Sequence, residues 1–473
     1  MNAFTTVIGL EVHVQLATQS KLFSPAPSSS LGEPNSRVHA VDIGLPGVLP
    51  RPNATAIALA VRASLALGGE IQRTSRFARK NYFYPDLPKG YQISQFDEPL
   101  CRGGSVPLGD GRSCRLHRIH VEEDAGKLVH GDIGTMVDLN RAGMPLVEIV
   151  GEPDLRAPSE AHAFLTNLRE ILRGCGVSEC DMELGTMRCD ANISLMPAGA
   201  TEFGTKVELK NLNSPKMVQR ALEYEERRQA AILAAGGRIA AETRGWNDEA
   251  GESRPQRSKE QAPDYRYFRD PDLPPLVIDD ATIARERGAI GELPDARRAR
   301  FRSHYDLPDY DVALLTQERD VGDWFEALVA EGIAPKTASN WVMSDVLPAR
   351  NARGASMATF PVEPRGLAEL LRMLDAGTLT QVAARRVFAH MVDTRDSAAD
   401  ATRTLGLLRI ADAASLEPFV AAAIAALPEA AAAVRAGKER AIDALKGHVM
   451  RATKGRSDPV LVDTLLRQSL SRG

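Results

Sequence analysis

The chain has 473 residues, with 58 basic and 62 acidic side chains and a formal net charge of −4. This length predicts two to four domains, and the balanced charge excludes a general attraction to polyanions, so any nucleic-acid contact must use local basic patches. Five cysteines form no zinc pattern, and the chain contains neither a signal peptide nor an apolar run of about 18 residues. We therefore expect reduced thiols in a cytoplasmic protein without a membrane partner.

The first predicted element is a strand in the sequence VIGLEVHVQL. Apolar residues from Ile8 to Leu16 alternate with a second set that includes Glu11 and His13, so the two sets occupy opposite faces. Residues two apart on one face stand about 6.5 to 7 Å from each other, so Glu11 and His13 can both reach one cation. The alternative is an ordinary solvated face.

Aromatic residues concentrate in RKNYFYPDLPKGYQISQ, and DYRYF contains a second group. The first segment interleaves Tyr82 and Tyr84 with Arg79 and Lys80. Rings interleaved with cations are typical of sites that stack a base and neutralise its phosphate. A minor hydrophobic core under a proline-rich loop explains the pattern equally well.

Acidic residues follow in HRIHVEEDAGK and in LNRAGMPLVEIVGEPD. Glu148 interrupts an apolar run, where an unpaired carboxylate would be costly, so it needs a cation or an arginine such as Arg141. Strand parity does not choose between Glu122 and Glu123.

Two further predicted strands, in RCDANISL and TKVELKNL, repeat the alternation of the first. Arg188, Asp190 and Asn192 share one face, as do Lys206 and Lys210 on the next strand. Together with Glu11 and His13, these acids and amides are ligand types that suit a hard or borderline cation.

A helix is predicted to begin at Ser214, with Pro215 at its first position, and to continue to Gly236. Its free N–H groups, with Lys206, Lys210, Asn211 and Asn213 just upstream, form a plausible phosphate site. The alternative is a capped helix with a few surface lysines. The chain has no P-loop and no dinucleotide-binding fingerprint.

Composition changes near residue 291, from short alternating strands to Ala/Leu-rich helices that begin at Glu292. The preceding RYFRDPDLPPLVIDD should run as an extended surface segment. The last 39 residues, from Arg435, carry nine basic and four acidic side chains. We predict an α+β protein with a mostly antiparallel sheet domain (1–291), a helical domain (292–400) and a small basic helical tail module (401–473).

The segments VIGLEVHVQL, RKNYFYPDLPKGYQISQ, HVEEDAGK, DLNRAGMPLVEIV, GTMRCDANISL, ELKNLNS and DYRYF resemble the GatB family, the B subunits of aspartyl/glutamyl-tRNA(Asn/Gln) amidotransferases. The resemblance implies a cradle domain that holds the 3′ end of a misacylated tRNA, and a tail that grips the tRNA body. It implies a ligase that uses ATP and Mg²⁺ to phosphorylate the side-chain carboxylate of Glu-tRNA(Gln) or Asp-tRNA(Asn). Ammonia from a partner amidase (glutaminase), the A subunit, then displaces phosphate, and a small C subunit completes a heterotrimer.

The resemblance also implies residue roles. The implied metal ligands are Glu11, His13, Glu123, Glu148 and Asp190. The implied catalytic residues are Glu11, His13, Glu123, Lys80 and Lys210, and the implied substrate-binding residues are Arg79, Tyr82, Tyr84, Arg188, Asn192, Lys206, Asn211 and Asn213. Cationic side chains are needed because carboxylate and triphosphate repel each other.

Two other functions are compatible with the residues: a non-catalytic tRNA-binding scaffold, which the basic tail favours, and a freestanding metal-dependent hydrolase, although no usual hydrolase motif is present. The chain also departs from the family pattern at two places, with QRSKE at residues 256–260 and YFR at residues 267–269.

Overall fold

The computed structural model describes residues 4–109, 111–131, 134–258, 264–410 and 412–471. The chain divides into two compact units, Met1–Pro294 and Asp295–Gly473. The first unit contains the strands, and the second is helical. The predicted α+β class is therefore confirmed.

The strands of the first unit are β1 Phe4–Gln15, β2 Glu70–Ile71, β3 Thr74–Ser75, β4 Ala78–Asn81, β5 Tyr91–Ser94, β6 Cys101–Arg102, β7 Ser105–Pro107, β8 Ser113–Glu123, β9 Lys127–Gly131, β10 Gly134–Asp138, β11 Pro145–Gly151, β12 Met187–Pro197, β13 Val207–Lys210, β14 Glu242–Asn247, β15 Glu252–Ser258, β16 Phe268–Arg269 and β17 Leu276–Val277. Its helices are α1 Ala54–Ala66, α2 Pro158–Gly174, α3 Pro215–Ala234 and α4 Asp280–Ala289.

A ten-stranded sheet forms the centre of this unit, in the order β15-β14-β13-β12-β1-β11-β8-β6-β2, with β7 also paired to β8. Neighbours run antiparallel except β13 and β14, which are parallel. Small sheets of β16-β4-β5, β9-β10 and β3-β17 accompany it.

One face of the sheet is apolar and packs against the helices. Leu10 and Val12 of β1 are buried in the same core as Phe164 of α2 and Leu222 of α3, whereas Glu11 between them is half-buried. The alternation predicted for β1 is therefore present, because a strand that is covered on one side only buries every second residue.

The predicted start of α3 is also observed. The Ser214 hydroxyl accepts a hydrogen bond from the Met217 N–H, and Pro215 occupies the first turn. The first helix after the sheet region begins earlier than predicted, at Asp280 rather than at Glu292, because Asp279 caps it by accepting from the Thr282 N–H at 2.8 Å.

The helices of the second unit are α5 Pro294–Tyr305, which begins at the last residue of the first unit, α6 Asp309–Thr316, α7 Arg319–Ala330, α8 Pro335–Trp341, a π-helical turn Val342–Val346, α9 Leu347–Ala352, α10 Pro364–Asp375, α11 Gln381–Thr394, α12 Ala398–Leu405, α13 Ala413–Ala426, α14 Pro428–Arg435, a 3₁₀ turn Glu439–Ala441, α15 Ile442–Ala452 and α16 Pro459–Ser471.

The apolar residues of the second unit form two clusters, one from Phe301 to Leu407 and one from Leu416 to Leu470. The boundary between these two apolar clusters lies close to the predicted domain limit at residues 400/401. The limits of the three domains stay predictions. In the described residues no single helix has the length and hydropathy to cross a bilayer, although α13 and α14, bent by 96°, meet that test as a pair.

The five cysteines are buried, and no disulfide joins them. Burial raises the pKa of Cys101 to about 11 and that of Cys180 to about 12. These thiols therefore stay protonated at neutral pH, which makes them poor nucleophiles.

A buried ion pair supports the loop that follows β1. The Lys21 ammonium is fully buried and donates to Asp42 at 3.1 Å and to the Arg37 carbonyl at 2.8 Å. We expect Asp42→Ala to lower the free energy of unfolding of the first unit by about 3 to 5 kcal/mol, because it leaves a buried cation without its counter-charge.

Hydrogen exchange of the β1 amides during urea unfolding measures this loss. Glu252→Ala is the control, since Glu252 pairs with Arg254 at an exposed site, where the loss should be at most about 1 kcal/mol. Equal losses in the two variants would contradict the role of the buried pair.

Candidate functional site

The polar face of the sheet carries a row of four charged or titratable side chains on adjacent strands. His120 of β8 lies opposite Glu148 of β11, Glu148 lies opposite His13 of β1, and His13 lies opposite Arg188 of β12. Directly opposed residues in antiparallel strands have Cβ atoms about 4.5 to 5.5 Å apart. The register therefore brings together residues that are up to 175 positions apart in the chain.

Glu122 joins this row because it lies two residues after His120 on the same strand face. The His13 Nε2 atom is 3.4 Å from Glu122 Oε1 and 3.7 Å from Glu148 Oε2, and His120 Nε2 is 3.1 Å from Glu148 Oε2. One ligand atom from each of His13, Glu122 and Glu148 lies within 4.8 Å of the others. We call these three residues the acidic cluster.

The donor set of the acidic cluster fits a divalent cation. Two carboxylates and one imidazole are oxygen and nitrogen donors of the kind that hard or borderline cations take. The Nδ1 atom of the buried His120 has no hydrogen-bond partner among the described residues, so this imidazole interacts with the cluster through Nε2 alone. The contact with His120 thus orients the Glu148 carboxylate, as the hydrogen-bond partner of a metal ligand commonly does.

Charges around Glu148 determine its protonation. Burial would raise its pKa, but the hydrogen bond from His120 and the charges of His120, His13 and Lys80 together lower it below its ordinary value. Glu148 is therefore ionised at neutral pH. Arg141, which the sequence suggested as a partner of Glu148, donates instead to the carbonyls of Ala125 and Gly126 at 2.9 and 2.8 Å.

The structure does not bring Glu123 into the acidic cluster. Its side chain is 2 % exposed and accepts hydrogen bonds from the Lys89 ammonium and from the Ile93 N–H at 2.9 Å. Successive residues of a strand point to opposite faces, so Glu122 and Glu123 cannot both face the cluster. The described geometry places Glu122, and not the predicted Glu123, beside His13.

Glu11 and Asp190 face each other across β1 and β12, in the row next to that of His13. Glu11 Oε1 accepts from Asn192 Nδ2 at 3.2 Å, and Asp190 accepts from the Lys210 ammonium. Burial opposes the charge of Lys210, but Asp190 and Glu208 raise its pKa above the ordinary value, so Lys210 stays a cation. Of the five predicted metal ligands, His13 and Glu148 thus lie in the cluster and Glu11 and Asp190 lie beside it.

A cavity of about 250 Å³ adjoins Glu11. Asn192 and Lys206 line it together with Gly9, Gly204 and other residues of β1, β11 and β12. Among the described residues, no ion pair engages the exposed Lys206. The cavity therefore places a cationic and an amide side chain beside one end of the polar face.

Arg188 and the other predicted binding residues lie in different surroundings. Arg188 donates to Asp124 at 2.8 Å. Asn211 adopts a left-handed backbone conformation, with φ 66°, and donates to the Trp246 carbonyl, and Asn213 is exposed beside the capped start of α3. These contacts favour a structural role for Asn211, and the substrate contacts predicted for these residues stay predictions.

The predicted aromatic and basic segment forms most of β4, the turn after it and β5. The Lys80 ammonium lies 4.8 Å from the centre of the Tyr265 ring, and the rings of Tyr82 and Tyr84 are 5.7 Å apart. The Arg79 guanidinium donates hydrogen bonds to Asp270 at 2.9 Å and to Asp272 at 2.8 Å. These contacts join β4 to the segment that follows β16.

Sequence reasoning left His120 unassigned and did not anticipate Lys89 as the partner of Glu123. One signal for His120 was present, since it precedes Glu122 by two residues and must share its strand face. No signal in the sequence predicted the Lys89–Glu123 pair, which depends on how β5 packs against β8.

Residues 6–284 match the family model described as the GatB/GatE catalytic domain, and residues 323–470 match the GatB domain. The chain belongs to the GatB/GatE family. It is 45% identical to a protein of Halalkalibacterium halodurans and 46% identical to proteins of Macrococcus caseolyticus and Geobacillus kaustophilus, each over 99% of both chains. All three relatives are named as the B subunit of aspartyl/glutamyl-tRNA(Asn/Gln) amidotransferase.

These matches confirm the predicted family and the predicted class of enzyme, a component of a ligase of the amidotransferase type. The acidic cluster, Glu11, Asp190 and Lys210 all lie within the part that matches the GatB/GatE catalytic domain. The structure also describes part of both departures from the family pattern. Gln256 lies at an irregularity of the β14–β15 pairing, and the side chain of Arg269 in β16 forms an ion pair with Glu98. Residues 259–260 of QRSKE fall outside the described residues.

Replacing His120 by Phe should raise the pKa of Glu148 toward or above its ordinary value, because the hydrogen bond and the charge that oppose burial are removed. A carboxylate with a lowered pKa stabilises the fold above its unfolded pKa, near 4.5, and this contribution is lost as the pH falls toward the folded pKa. We therefore expect H120F to destabilise the first unit by about 1 to 3 kcal/mol at pH 7, with the difference from wild type shrinking below about pH 4.5.

Urea unfolding at several pH values, followed by hydrogen exchange of β1 and β11, measures this difference. His117→Phe on the same strand is the control, because the His117 side chain is exposed and pairs with the partly exposed Glu152. A loss in H120F that does not change with pH would show that His120 acts by packing alone.

Proposed function

We propose that this chain is the kinase and aminoacyl-tRNA-binding subunit of a tRNA-dependent amidotransferase. Its reaction transfers the γ-phosphoryl group of ATP to the side-chain carboxylate of Glu-tRNA(Gln) or Asp-tRNA(Asn), which releases ADP. Ammonia then attacks the acyl phosphate, the C–O bond to phosphate breaks, and the amide forms. The observation that carries the proposal is the acidic cluster within the part of the chain that matches the catalytic domain.

Mg²⁺ held by His13, Glu122 and Glu148 would offset the repulsion between the triphosphate and the substrate carboxylate. The chain supplies further positive charge. Lys80 is close enough to lower the pKa of Glu148, and Lys210 and Arg188 belong to the same polar face. Phosphoryl transfer depends on positioning and on such electrostatic support rather than on covalent help from the protein.

The proposed substrate contacts separate into two places. Tyr82, half-exposed Tyr84 and Lys80 offer rings and a cation for the unpaired 3′ end of the tRNA. Glu11, Asn192 and Lys206 border the cavity beside the cluster, which suits the aminoacyl group or part of the nucleotide. The exposed basic side chains of the tail module serve the tRNA body.

The partners proposed are the A subunit, which is an amidase that hydrolyses glutamine to ammonia, and a small C subunit. This division of labour is supported by the sequence, which contains no Ser- and Gly-rich amidase segment of its own. The relatives are likewise named as one subunit of an amidotransferase. A cytoplasmic location stays a prediction.

Replacing Glu122 or Glu148 by Gln should reduce tRNA-dependent ATP consumption by at least about 100-fold, since each variant removes one anionic ligand. The assay compares the purified three-subunit complex with and without glutamyl-tRNA(Gln) and with Mg²⁺ varied. The apparent Mg²⁺ requirement should rise in both variants, while filter binding of tRNA is kept.

Glu152→Gln is the matched control because Glu152 pairs with exposed His117. Glu123→Gln should act through stability, since Glu123 is the partner of Lys89. Wild-type activity in E122Q and E148Q would refute the proposed site, and ATP consumption that needs no aminoacyl-tRNA would favour a hydrolase. A complex that binds tRNA but never consumes ATP would favour a scaffold.

The tail module offers a second test. Lys438, Arg440 and Lys454 are exposed, and the described residues provide no acidic partner for them. Replacing all three by Gln should weaken tRNA binding and flatten its salt dependence, by up to about 0.9 in the log–log slope for each phosphate that is no longer neutralised.

Arg467→Gln is the control for this test, because Arg467 is paired with Asp463 at 2.7 Å and has less free charge to offer. Binding is measured with unmodified tRNA between low and physiological salt. Unchanged affinity and slope in the triple variant would remove the tail from the tRNA-binding surface.

A further inference from the structure

A short segment of the first unit runs antiparallel beside β4. We call residues 264–270 the strap. The strap pairs with β4 through β16, and the side chain of Asn81 donates to the carbonyls of Tyr265 and Arg266 at 3.1 and 2.8 Å. Arg266 adopts a left-handed conformation, with φ 46°, which is uncommon for a residue other than glycine.

Arg79 fastens the far end of the strap. Its guanidinium donates to buried Asp270 at 2.9 Å and to Asp272 at 2.8 Å, and it lies 4.2 Å from the centre of the Tyr91 ring. Two carboxylates and an aromatic face thus hold one planar cation, an arrangement that lysine cannot reproduce. Arg269 adds an ion pair with Glu98.

The strap places the Tyr267 ring on the side of β8 that carries the acidic cluster, because Tyr267 stacks on Phe96 and Phe96 contacts Arg118, which shares a strand face with His120 and Glu122. The Tyr267 ring stacks in parallel on Phe96, with centroids 4.1 Å apart and planes at 9°. The Arg118 guanidinium lies over the Phe96 ring, 5.9 Å from its centre. The stacking on Phe96 therefore fixes the orientation of the Tyr267 ring.

The hydroxyl of Tyr267 is a neutral hydrogen-bond donor. Burial, followed by the charges of Glu122 and Glu148, raises its pKa above the ordinary value, so the hydroxyl stays protonated at neutral pH. Within the described ranges no protein group accepts a hydrogen bond from it. A neutral donor on the side of β8 that carries two carboxylates is suited to an incoming anion once those carboxylates are occupied by a cation.

We propose that Tyr267 donates a hydrogen bond to an oxygen of the phosphoryl group in transfer, and that Arg79 is the positioning residue that holds the strap and with it this donor. The proposal rests on the proposed function, because it assigns a further contact at the same site. It also gives Arg79 a role different from the direct substrate contact implied by the resemblance.

Tyr267→Phe tests the donor, since the Phe ring keeps the stacking on Phe96 and removes the hydroxyl alone. In the three-subunit complex with ATP, Mg²⁺ and glutamyl-tRNA(Gln), we expect kcat to fall about 10- to 100-fold, with little change in the KM for tRNA. Tyr224→Phe is the matched control, because Tyr224 of α3 lies against Trp246 on the apolar side of the sheet.

Arg79→Gln tests the positioning role in the wild-type and the Y267F background. If Arg79 acts by holding Tyr267, R79Q lowers kcat in the wild type but adds little in Y267F, whereas a general loss of structure lowers both equally. Wild-type kcat in Y267F, or fully additive losses, would overturn the proposal. An inactive wild-type complex would instead overturn the proposed function, so the two failures are distinct.

Discussion

Charge neutralisation on one half-buried sheet face is the constraint on which this site depends. A carboxylate removed from water needs a cation or a set of donors, and most acids of this face have one. Asp190 has Lys210, and Asp124, just after β8, has Arg188. Glu122 and Glu148 differ, because their ionic contacts within the described residues are with the imidazoles of His13 and His120, and Glu122 has in addition one hydrogen bond from the Ser94 hydroxyl at 3.2 Å. A divalent cation bound to these two carboxylates, as proposed, would neutralise their remaining negative charge.

The helices make this arrangement possible by covering the opposite face. The helices α2 and α3 bury the apolar side chains of β1 and β12, so these strands are anchored from their apolar side. The polar face can therefore carry mutually repelling acids at a cost in stability that the core offsets. Antiparallel pairing then sets the distances, since register fixes which residue faces which.

The smaller sheet of β16-β4-β5 adds elements that the large sheet lacks. It contributes Lys80 and the aromatic rings, and its packing against β8 supplies Lys89 and the Ile93 N–H to Glu123. The strap is tied into this sheet by Arg79. The Arg79–Asp270 pair and the strand pairing hold the strap at Arg269, which lies in one of the two departures from the family pattern.

Local periodicity was sufficient to predict much of the molecule. The alternation of β1 and β12, the capped start of α3 at Ser214 and the change to helices follow from patterns within a few residues of each other, and the structure contains all three. The quoted motifs were likewise sufficient for the family. By contrast, the choice of Glu122 over Glu123, the His120–Glu148 contact and the use of Arg79 to hold the strap depended on strand register and on packing between sheets. Such contacts join residues far apart in the chain, and no short-range pattern of side chains encodes which strand lies beside which.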